Sequence, residues 1–204
     1  MTWAAGIDVG GTRIKAVAAS ADGTILRRVT HATADGTATA ADWTRIAREA
    51  LDSFSRELGR PPSAVGVCAP GLAARDGRSI AHLPGKLAGL AGIDWTNSLE
   101  RAETVPVLND AHAALLGEVW AGAALGRNDV VLLTLGTGVG GAVFSGGRLL
   151  RGAIGRAGHI GHMSLSQEGT PSITGMPGAL ETLVGECTLA PRSGGRFTST
   201  ADLV

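Results

Sequence analysis

Apolar and polar residues alternate along the first part of the chain, as they do in β-strands that bury one face. The alternation runs through three short segments, which read WAAGIDVGG, TRIKAVAAS and GTILRRVTH. Glycines separate the first two segments, and the turn signal Asp22-Gly23 leads into the third. We therefore expect three strands that form an antiparallel meander.

A different spacing begins after residue 39, where apolar residues recur every three or four positions. This is the period of an amphipathic helix. The predicted helix extends from Ala40 to Leu58 and ends where Gly59 and Pro61 follow. Its apolar face is formed by Trp43, Ile46, Ala47, Ala50, Leu51 and Phe54.

The remainder of the chain contains short apolar strands and a second helix. SAVGVCAPG and VPVLND are predicted strands, and the helix AHAALLGEVWAGAAL follows the second strand and closes at Gly126. DVVLLTLGTGVGGAVFSGGRLL then reads as a strand, a glycine turn and another strand. This order of elements predicts two α/β lobes that meet near residue 110.

Composition limits the partners that we expect. Of the 204 residues, 44% are hydrophobic and 18% are charged, which is typical of a soluble globular protein. The 18 basic and 18 acidic residues cancel, so we expect no nucleic acid or membrane partner. No apolar stretch approaches the roughly 20 residues that span a bilayer. Two distant cysteines, Cys68 and Cys187, and no secretory signal pattern favour a reducing compartment, the cytoplasm.

Two glycine-rich segments have the composition of phosphate-binding turns. The first, DVGGT at residues 8–12, lies between two predicted strands. Its glycines allow backbone N–H groups to approach an anion, while Asp8 projects from the strand end. Taken alone, the segment is better explained as an ordinary hairpin turn, because short motifs often match by chance.

The second segment, GTGVGG at residues 136–141, has the glycine spacing of a dinucleotide-binding fingerprint. That motif must open a helix and precede an acidic residue by about 20 positions. Here a strand follows, and no Asp or Glu lies between Asp129 and Glu168. A glycine turn in an acid-free segment instead suits an anionic phosphate, with Thr137 offering a hydroxyl.

The segment NDAHAA places Asp110 where a strand ends and a helix begins. By sequence alone, the favoured role of Asp110 is to cap the helix. The alternative is a general base that takes a proton from a substrate hydroxyl, since a carboxylate at a strand end between lobes can face a cleft. The two roles can also be divided between Asn109 and Asp110.

GRAGHIGHM, at residues 155–163, contains His159 and His162 among three glycines. The spacing would put both imidazoles on one face of a helix, but the glycines favour a tight loop. The pair by itself does not distinguish a metal ligand from a substrate contact.

Together and in this order, the motifs resemble those of the ROK family, which comprises bacterial sugar kinases and sugar-responsive repressors of the actin-like ATPase superfamily. DVGGT is similar to the family's first phosphate loop, NDAHAA to its catalytic segment, LGTGVGG to its second phosphate loop and GRAGHIGHM to its Gly-Glu-x-Gly-His stretch. The resemblance implies an α/β, two-lobed actin-like ATPase (ribonuclease H-like) fold with an incomplete second lobe. The implied lobes are residues 1–112 and 113–204.

The activity implied by the resemblance is that of a glucokinase-like hexose kinase, which transfers the γ-phosphoryl group of ATP to a sugar hydroxyl. Asp110 would then be the catalytic base, and Asp8 would organise Mg²⁺ through water. The residues implied to contact the sugar are Asn109, His159, His162 and Glu181. Those implied to hold the nucleotide are Asp8, Gly10, Gly11, Thr12, Gly136, Thr137, Gly138 and Gly140. This division suits phosphoryl transfer, which needs mainly positioning and charge stabilisation.

The chain departs from the family pattern at its zinc site. In the family, the histidine that corresponds to His162 joins three cysteines, but Ser172, Thr174 and Ala179 stand at those positions here. None of them supplies a thiolate, so we expect no bound zinc. The remaining metal hypothesis is a site formed by His159, His162 and Cys187.

Two histidines replace other family residues. His159 stands where the family has a sugar-contacting glutamate, and an imidazole is not an anionic acceptor, so the sugar preference is open. His112 replaces the usual asparagine and is expected only to pack or cap.

Two other functions remain consistent with the resemblance: a non-catalytic sugar-binding fragment, and a sugar-responsive regulator that lacks a DNA-binding domain. Family members continue through further elements that complete the second lobe and the adenosine pocket, so a fragment is the simplest explanation of the length. Family members are often dimers, and a homodimer is therefore one expected form.

Overall fold

The computed structural model describes residues 2–33, 37–85 and 87–203, which contain both strands and helices. The strands are β1 (Ala4–Val9), β2 (Arg13–Ala19), β3 (Ile25–Ala32), β4 (Ala64–Ala69), β5 (Leu72–Ala73), β6 (Ile80–His82), β7 (Val107–Asn109), β8 (Val130–Leu135), β9 (Val139–Ser145) and β10 (Arg148–Leu149). The α-helices are α1 (Ala40–Leu58), α2 (Trp95–Ser98), α3 (Asp110–Ala121), α4 (Leu180–Val184) and α5 (Leu189–Arg192).

The larger sheet has five strands in the order β3-β2-β1-β4-β7. Its first three strands form an antiparallel meander, which confirms the prediction from the alternating pattern. Strands β4 and β7 continue the sheet parallel to β1, so their carboxyl ends lie at the same edge as the end of β1. That edge carries Asp8 and Asn109, the residues with which the motifs DVGGT and NDAHAA begin.

Helix α1 covers one face of the larger sheet, and its predicted bounds are confirmed. Thr39 N–H donates to Asp42 Oδ2 at 2.9 Å before the first turn, and Gly59 ends the helix with a φ of 71°, in the left-handed region. The buried face of the helix packs on buried residues of β1, β2 and β4. Truncation of a side chain such as the buried Phe54 would cost about 3–5 kcal/mol.

The opposite face of the larger sheet has a different character. Because successive side chains of a strand point to opposite faces, the residues between the core positions share this second face. They include Gly6, Asp8, Lys15 and Cys68, which are intermediate or exposed. This face borders the cleft that is described below.

The smaller sheet is antiparallel and has the order β10-β9-β8, as the strand, turn and strand pattern predicted. Helix α3 packs against it through a second core of Ala111, Leu115, Ala142 and Phe144. Helix α3 therefore begins at the end of β7 in one sheet and buries its apolar side on the other. The predicted division at residues 112/113 falls within this helix and stays a prediction.

The end of α3 differs from the prediction, because the helix stops at Ala121 rather than near Gly126. The carboxylate of Glu118 folds over Gly122 and accepts a hydrogen bond from Ala123 N–H at 2.8 Å. A Cβ at Gly122 would overlap this carboxylate, so the glycine permits a local cap that ends the helix early. Among the described residues, no helix has the length and apolar composition needed to cross a membrane.

Candidate functional site

The turn between β1 and β2 joins strands in which Asp8 and Lys15 lie directly opposite each other. Lys15 Nζ is 3.5 Å from Asp8 Oδ2, and the Asp8 side chain is 38% exposed. The turn closes with a hydrogen bond from Gly10 N–H to Arg13 O at 3.0 Å. The hairpin thus holds an accessible carboxylate beside a cation at the carboxyl end of β1.

The same turn is attached to β3 through Thr33. Thr33 N–H donates to Thr12 O at 3.0 Å, and Thr33 Oγ1 donates to Gly10 O at 3.3 Å. Gly10 and Gly11 are partly exposed and Thr12 is exposed. The predicted first phosphate turn is therefore a supported and accessible turn.

Sequence reasoning did not single out Lys15, although the signal was present. A tight turn with Val9 opposite Ile14 places Asp8 opposite Lys15, because pairing register continues along a hairpin. A surface ion pair contributes only about 0–1 kcal/mol to stability. The pair therefore matters for the orientation and charge of Asp8 more than for the fold.

Cys68 lies on the neighbouring strand β4, with its Sγ 3.8 Å from Asp8 Oδ1. Burial, followed by the charges of Asp8 and Asp110, raises the pKa of the thiol far above its usual range, and Lys15 opposes this only in part. The thiol therefore stays protonated at neutral pH and donates towards Asp8. A protonated thiol is neither a nucleophile nor a metal ligand.

Asn109 caps helix α3. Its Oδ1 accepts hydrogen bonds from Ala111 N–H at 3.0 Å and His112 N–H at 3.3 Å, and its Nδ2 donates to Gly71 O at 3.0 Å. The interpretation of Asp110 as the cap is wrong, because Asn109 precedes the helix with an extended backbone and reaches its free N–H groups. Asn109 is buried and joins the turn after β4 to α3.

Asp110 occupies the first position of α3 and is exposed. Its Oδ1 accepts a hydrogen bond from Ala111 N–H at 2.9 Å. Asp110 and Asp8 line the same cleft, which has a volume of about 620 Å³ and is bordered by the uncovered face of the larger sheet, α3 and Thr134 of β8. The structure thus brings together the two carboxylates that separate motifs predicted.

The second glycine turn connects β8 to β9. Gly136 N–H donates to Gly138 O at 3.0 Å, and the segment after α4 returns to the turn, where Glu186 N–H donates to Gly136 O at 3.0 Å and Cys187 N–H to Thr137 O at 2.8 Å. Thr137 is exposed, and in the part of the chain that the structure describes a Cβ on Gly136 would meet no atom within 4 Å. The turn therefore offers an open side formed mainly by backbone, as a phosphate loop requires.

Gly140 lies in β9 rather than in the turn, opposite Thr134. The Thr134 hydroxyl occupies the space that a side chain at Gly140 would need. Further along β9, the loop that carries the two predicted histidines packs directly on the strand: a Cβ on Gly161 would overlap Val139 O. Close backbone contact thus fixes the histidine loop (residues 155–163) to the strand that follows the second turn.

Three histidine rings form a row beside Asp110. The ring centroids of His112 and His159 are 6.1 Å apart, and those of His159 and His162 are 6.2 Å apart. His112 is buried, and its Nε2 lies 3.1 Å from Ala157 O. A carbonyl oxygen only accepts, so His112 Nε2 carries a proton and donates it to the histidine loop.

His159 has a buried Nε2 that finds no hydrogen-bond partner among the described residues. Burial lowers the pKa of His159, the charges of His112, His162 and Arg156 lower it further, and the carboxylate of Asp110 acts in the opposite direction. The imidazole is therefore neutral at pH 7, with one donor and one acceptor nitrogen. A buried polar atom without a partner is a candidate contact for a ligand.

Glu181, in the first turn of α4, lies between the histidine loop and the second glycine turn. Its Oε1 is 3.7 Å from His162 Nδ1, beyond hydrogen-bond distance. Its Oε2 occupies the position where a Cβ on Gly138 would lie. Only 16% of the Glu181 side chain is exposed, so the carboxylate is held at this point by its surroundings.

The predicted site residues thus fall into two groups. Asp8 and Asp110 line the cleft. His159, His162 and Glu181 form a second cluster, which Gly138 of the second glycine turn touches through Glu181. Three further residues of this region were missed or were expected only to pack: Lys15, Cys68 and His112.

No three His, Cys, Asp or Glu side chains come together as a metal-binding group in the part of the chain that the structure describes. His159, His162 and Cys187 therefore do not form the metal site that was one hypothesis. Ser172 and Thr174, which stand at two of the family's cysteine positions, share a hydrogen bond of 2.8 Å between Oγ and Oγ1. The expected lack of zinc stays a prediction for measurement.

A model of the ROK family matches residues 4–200 of the chain. The chain is 37% identical over 187 residues to a glucokinase of Halalkalibacterium halodurans, and the aligned region covers 89% of this chain and 56% of that protein. It is 36% identical over 179 residues to an N-acetylmannosamine kinase of Escherichia fergusonii, covering 87% of this chain and 59% of that protein. The chain thus spans less than two thirds of the length of these relatives.

Solved structures agree with the sequence matches. The ROK hexokinase of Thermus thermophilus superposes with a TM-score of 0.81 at 30% identity, over 99% of this chain and 67% of that one. A ROK family glucokinase of Streptomyces griseus, solved in complex with glucose and AMPPNP, superposes with a TM-score of 0.79 at 30% identity, over 98% of this chain and 62% of that one. The predicted α/β actin-like ATPase fold is confirmed.

Proposed function

Because the chain belongs to the ROK family, we propose that it is part of an ATP-dependent sugar kinase that transfers the γ-phosphoryl group of ATP to a sugar hydroxyl. One observation supports this more than any other. Asp110 is an exposed carboxylate that lines a cleft together with Asp8, and its charge also acts on the ring of His159. A kinase requires a base where phosphoryl donor and acceptor meet.

In this proposal Asp110 accepts the proton of the attacking sugar hydroxyl. Asn109 holds the helix start that carries Asp110, through hydrogen bonds to two backbone N–H groups and to Gly71 O. The direction of the carboxylate is therefore set by a buried, fully engaged neighbour. Asn109 would act on the sugar mainly through this positioning, and a direct contact from its amide remains part of the proposal.

The nucleotide phosphates would lie between the two glycine turns. Turn residues Gly10, Gly11 and Thr12 on one side and Gly136, Thr137 and Gly138 on the other offer accessible backbone. Gly140, which lies in β9, would support the second turn from behind. Backbone N–H groups without side chains suit phosphate oxygens.

Asp8 fits a magnesium ion that retains most of its waters. Its carboxylate is 38% exposed at the edge of the cleft and forms an ion pair with Lys15, so part of it is available to the water shell of an ion. A single carboxylate is a usual protein contribution to Mg²⁺ that is also bound to phosphates. When bound, Mg²⁺ would neutralise phosphate charge and orient the γ-phosphoryl group. Lys15 would add a second positive charge nearby.

The sugar would lie against His159, His162 and Glu181. A neutral His159 donates from one ring nitrogen and accepts at the other, which matches a hydroxyl group because a hydroxyl also does both. Glu181 adds an acceptor-only carboxylate. The relative from Streptomyces griseus was solved with glucose and AMPPNP, which supports a site for both a hexose and a nucleotide in this fold.

We further propose that the protein works in the cytoplasm and as a homodimer, with neither nucleic acid nor a membrane as a partner. Cys68 and Cys187 are both free thiols, which suits a reducing compartment that also supplies ATP. The balanced charge is consistent with small-molecule partners.

A coupled ADP-release assay over a panel of sugars tests the function. We expect ADP release that depends on both Mg²⁺ and a hexose such as D-glucose or N-acetyl-D-mannosamine. Calorimetry on the 204-residue chain measures sugar binding without requiring turnover. Binding without ADP release would favour a sugar-binding protein over a kinase, and the lack of binding by every sugar in the panel would contradict the proposal.

A further inference from the structure

We propose that Gly138 is a positioning residue for the sugar pocket: because it has no side chain, it seats the carboxylate of Glu181 beside His162. One glycine of the phosphate turn would then also form a wall of the sugar site. This inference rests on the proposed function of the site. Its geometric part, the position of Glu181, can be measured without any sugar.

The contact is a close one on both sides of the carboxylate. A Cβ on Gly138 would overlap Glu181 Oε2 and would lie 2.9 Å from Glu181 Cδ, closer than such atoms approach in proteins. The other oxygen, Oε1, lies 3.7 Å from His162 Nδ1. The carboxylate therefore fills the gap between Gly138 and the imidazole, and any side chain at position 138 would move it.

The backbone around this contact is tied in place. Glu186 N–H and Cys187 N–H donate to the carbonyls of Gly136 and Thr137 at 3.0 and 2.8 Å. A Cβ on Gly185 would lie 3.2 Å from Gly138 Cα, so the end of α4 also approaches the turn closely. Because α4 is attached to the turn in this way, Glu181 cannot avoid a new side chain through a shift of the helix. Its side chain has to rotate.

An added methyl group at position 138 would thus displace the Glu181 carboxylate but leave the fold and its stability largely unchanged. The atoms that Gly138 would strike belong to the end of a flexible side chain, and its φ lies outside the left-handed region, so alanine fits its backbone. Gly161 differs, because a Cβ there would strike the backbone oxygen of Val139. The two glycines are therefore separable by stability measurements.

The test compares Gly138→Ala with Gly136→Ala. The second variant adds the same methyl group to the same turn, at a point where no atom of residues 2–33, 37–85 or 87–203 lies within 4 Å. The first readout is the nitrogen and proton chemical shifts of the His162 ring in the unliganded protein. We expect Gly138→Ala to shift these signals as Glu181→Ala does, and Gly136→Ala to shift them far less. Unmoved His162 signals in Gly138→Ala would overturn the proposal.

The second readout is the Kd of D-glucose and of N-acetyl-D-mannosamine by calorimetry. Loss of one hydrogen bond to a charged group corresponds to about a tenfold or larger change in Kd. We expect Gly138→Ala to raise Kd by about this factor while the thermal unfolding midpoint stays close to that of the wild type. A fall in the midpoint with no shift of the His162 signals would indicate a purely structural role and contradict positioning.

Two double variants make the readout specific to Glu181. Glu181→Asp shortens the side chain by one methylene, so Gly138→Ala with Glu181→Asp should bind sugar more tightly than Gly138→Ala alone. In a Glu181→Ala background, Gly138→Ala should have no further effect on Kd. If Gly138→Ala raised the sugar Kd by the same factor in the wild type and in Glu181→Ala, Gly138 would act by a route other than Glu181.

The experiments distinguish a failure of the proposed kinase function from a failure of the proposed role of Gly138. If the wild-type chain binds no sugar, the proposed function is contradicted, but the His162 signals still decide whether Gly138 seats Glu181. If the wild type binds sugar and Gly138→Ala behaves like Gly136→Ala in both readouts, the positioning role is wrong while the kinase proposal stands.

Discussion

His112 and Ala157 join the start of α3 to the histidine loop through a contact of 3.1 Å between Nε2 and the carbonyl oxygen. The helix start carries Asp110, and the loop carries His159 and His162. A residue that the sequence indicated only as a packing or capping side chain thus links the proposed base to the proposed sugar contacts.

The contact predicts a cost for His112→Phe, which keeps a ring but removes the donor. The Ala157 carbonyl would be left without this partner, and such a loss destabilises the protein by about 1–3 kcal/mol. Urea unfolding measures the change, with His82→Phe at an exposed position as the matched control. Equal stability of the two variants would mean that the hydrogen bond contributes nothing.

Asp110→Asn should abolish most phosphoryl transfer and leave sugar binding nearly intact. The substitution keeps the size of the side chain but removes the base, and one general base contributes about 10² to 10⁴ in rate. Turnover is measured by coupled ADP release, and sugar binding by calorimetry. Asp52→Asn, at an exposed position of α1, is the control. Near-normal turnover in a folded Asp110→Asn protein would refute the assignment.

The lowered pKa of His159 predicts that the stability of the folded chain depends on pH. Its pKa is lowered in the folded chain, first by burial, whereas in the unfolded chain it lies near the ordinary value of about 6.5. Below that value the unfolded state binds more protons, so the contribution present at higher pH is lost as the pH falls from the unfolded pKa through the folded one.

Urea unfolding from about pH 7.5 to about pH 5, the range in which histidine titrates, measures this effect. His159→Gln should flatten the decline in stability over that interval. His82→Gln, which changes an exposed histidine, is the matched comparison. A decline that is as steep in His159→Gln as in the wild type would exclude His159 as its source.

The purified protein should contain no stoichiometric zinc. Ser172 and Thr174 bond each other through hydroxyls that cannot replace thiolates, and a single imidazole does not make a closed tetrahedral site. Elemental analysis of protein purified without added metal measures this, and a chelator should leave the unfolding midpoint unchanged. One zinc per chain that is lost with stability on mutation of His162 would reverse the conclusion.

The local sequence pattern was sufficient to predict many of the strands and helices of the first lobe. The meander of β1 to β3 and the bounds of α1 followed from alternation, from a helical period and from Gly59, because each signal acts between residues that are close in the chain. The resemblance of four short motifs was similarly sufficient for the family, since motif order does not depend on the details of packing.

Tertiary structure decided the details of the site. The carboxylate of Glu118 ended α3 early, Asn109 replaced Asp110 as the cap, and the His112 ring reached Ala157. Each of these details depends on where one side chain points relative to a backbone group. The spacing of apolar residues along the chain is the same whichever way such a side chain points. Period and composition therefore could not distinguish them.

The sequence by itself determined which residue types were available to the site, including two carboxylates, two glycine turns and a pair of histidines. Only the folded chain decided that Glu181 lies against Gly138 and within 3.7 Å of His162. These residues are far apart in the chain and share no periodic pattern. Their contact arises because the turn between the antiparallel strands β8 and β9, the start of α4 and the histidine loop bring distant backbone together, and such long-range packing is a property of the whole fold.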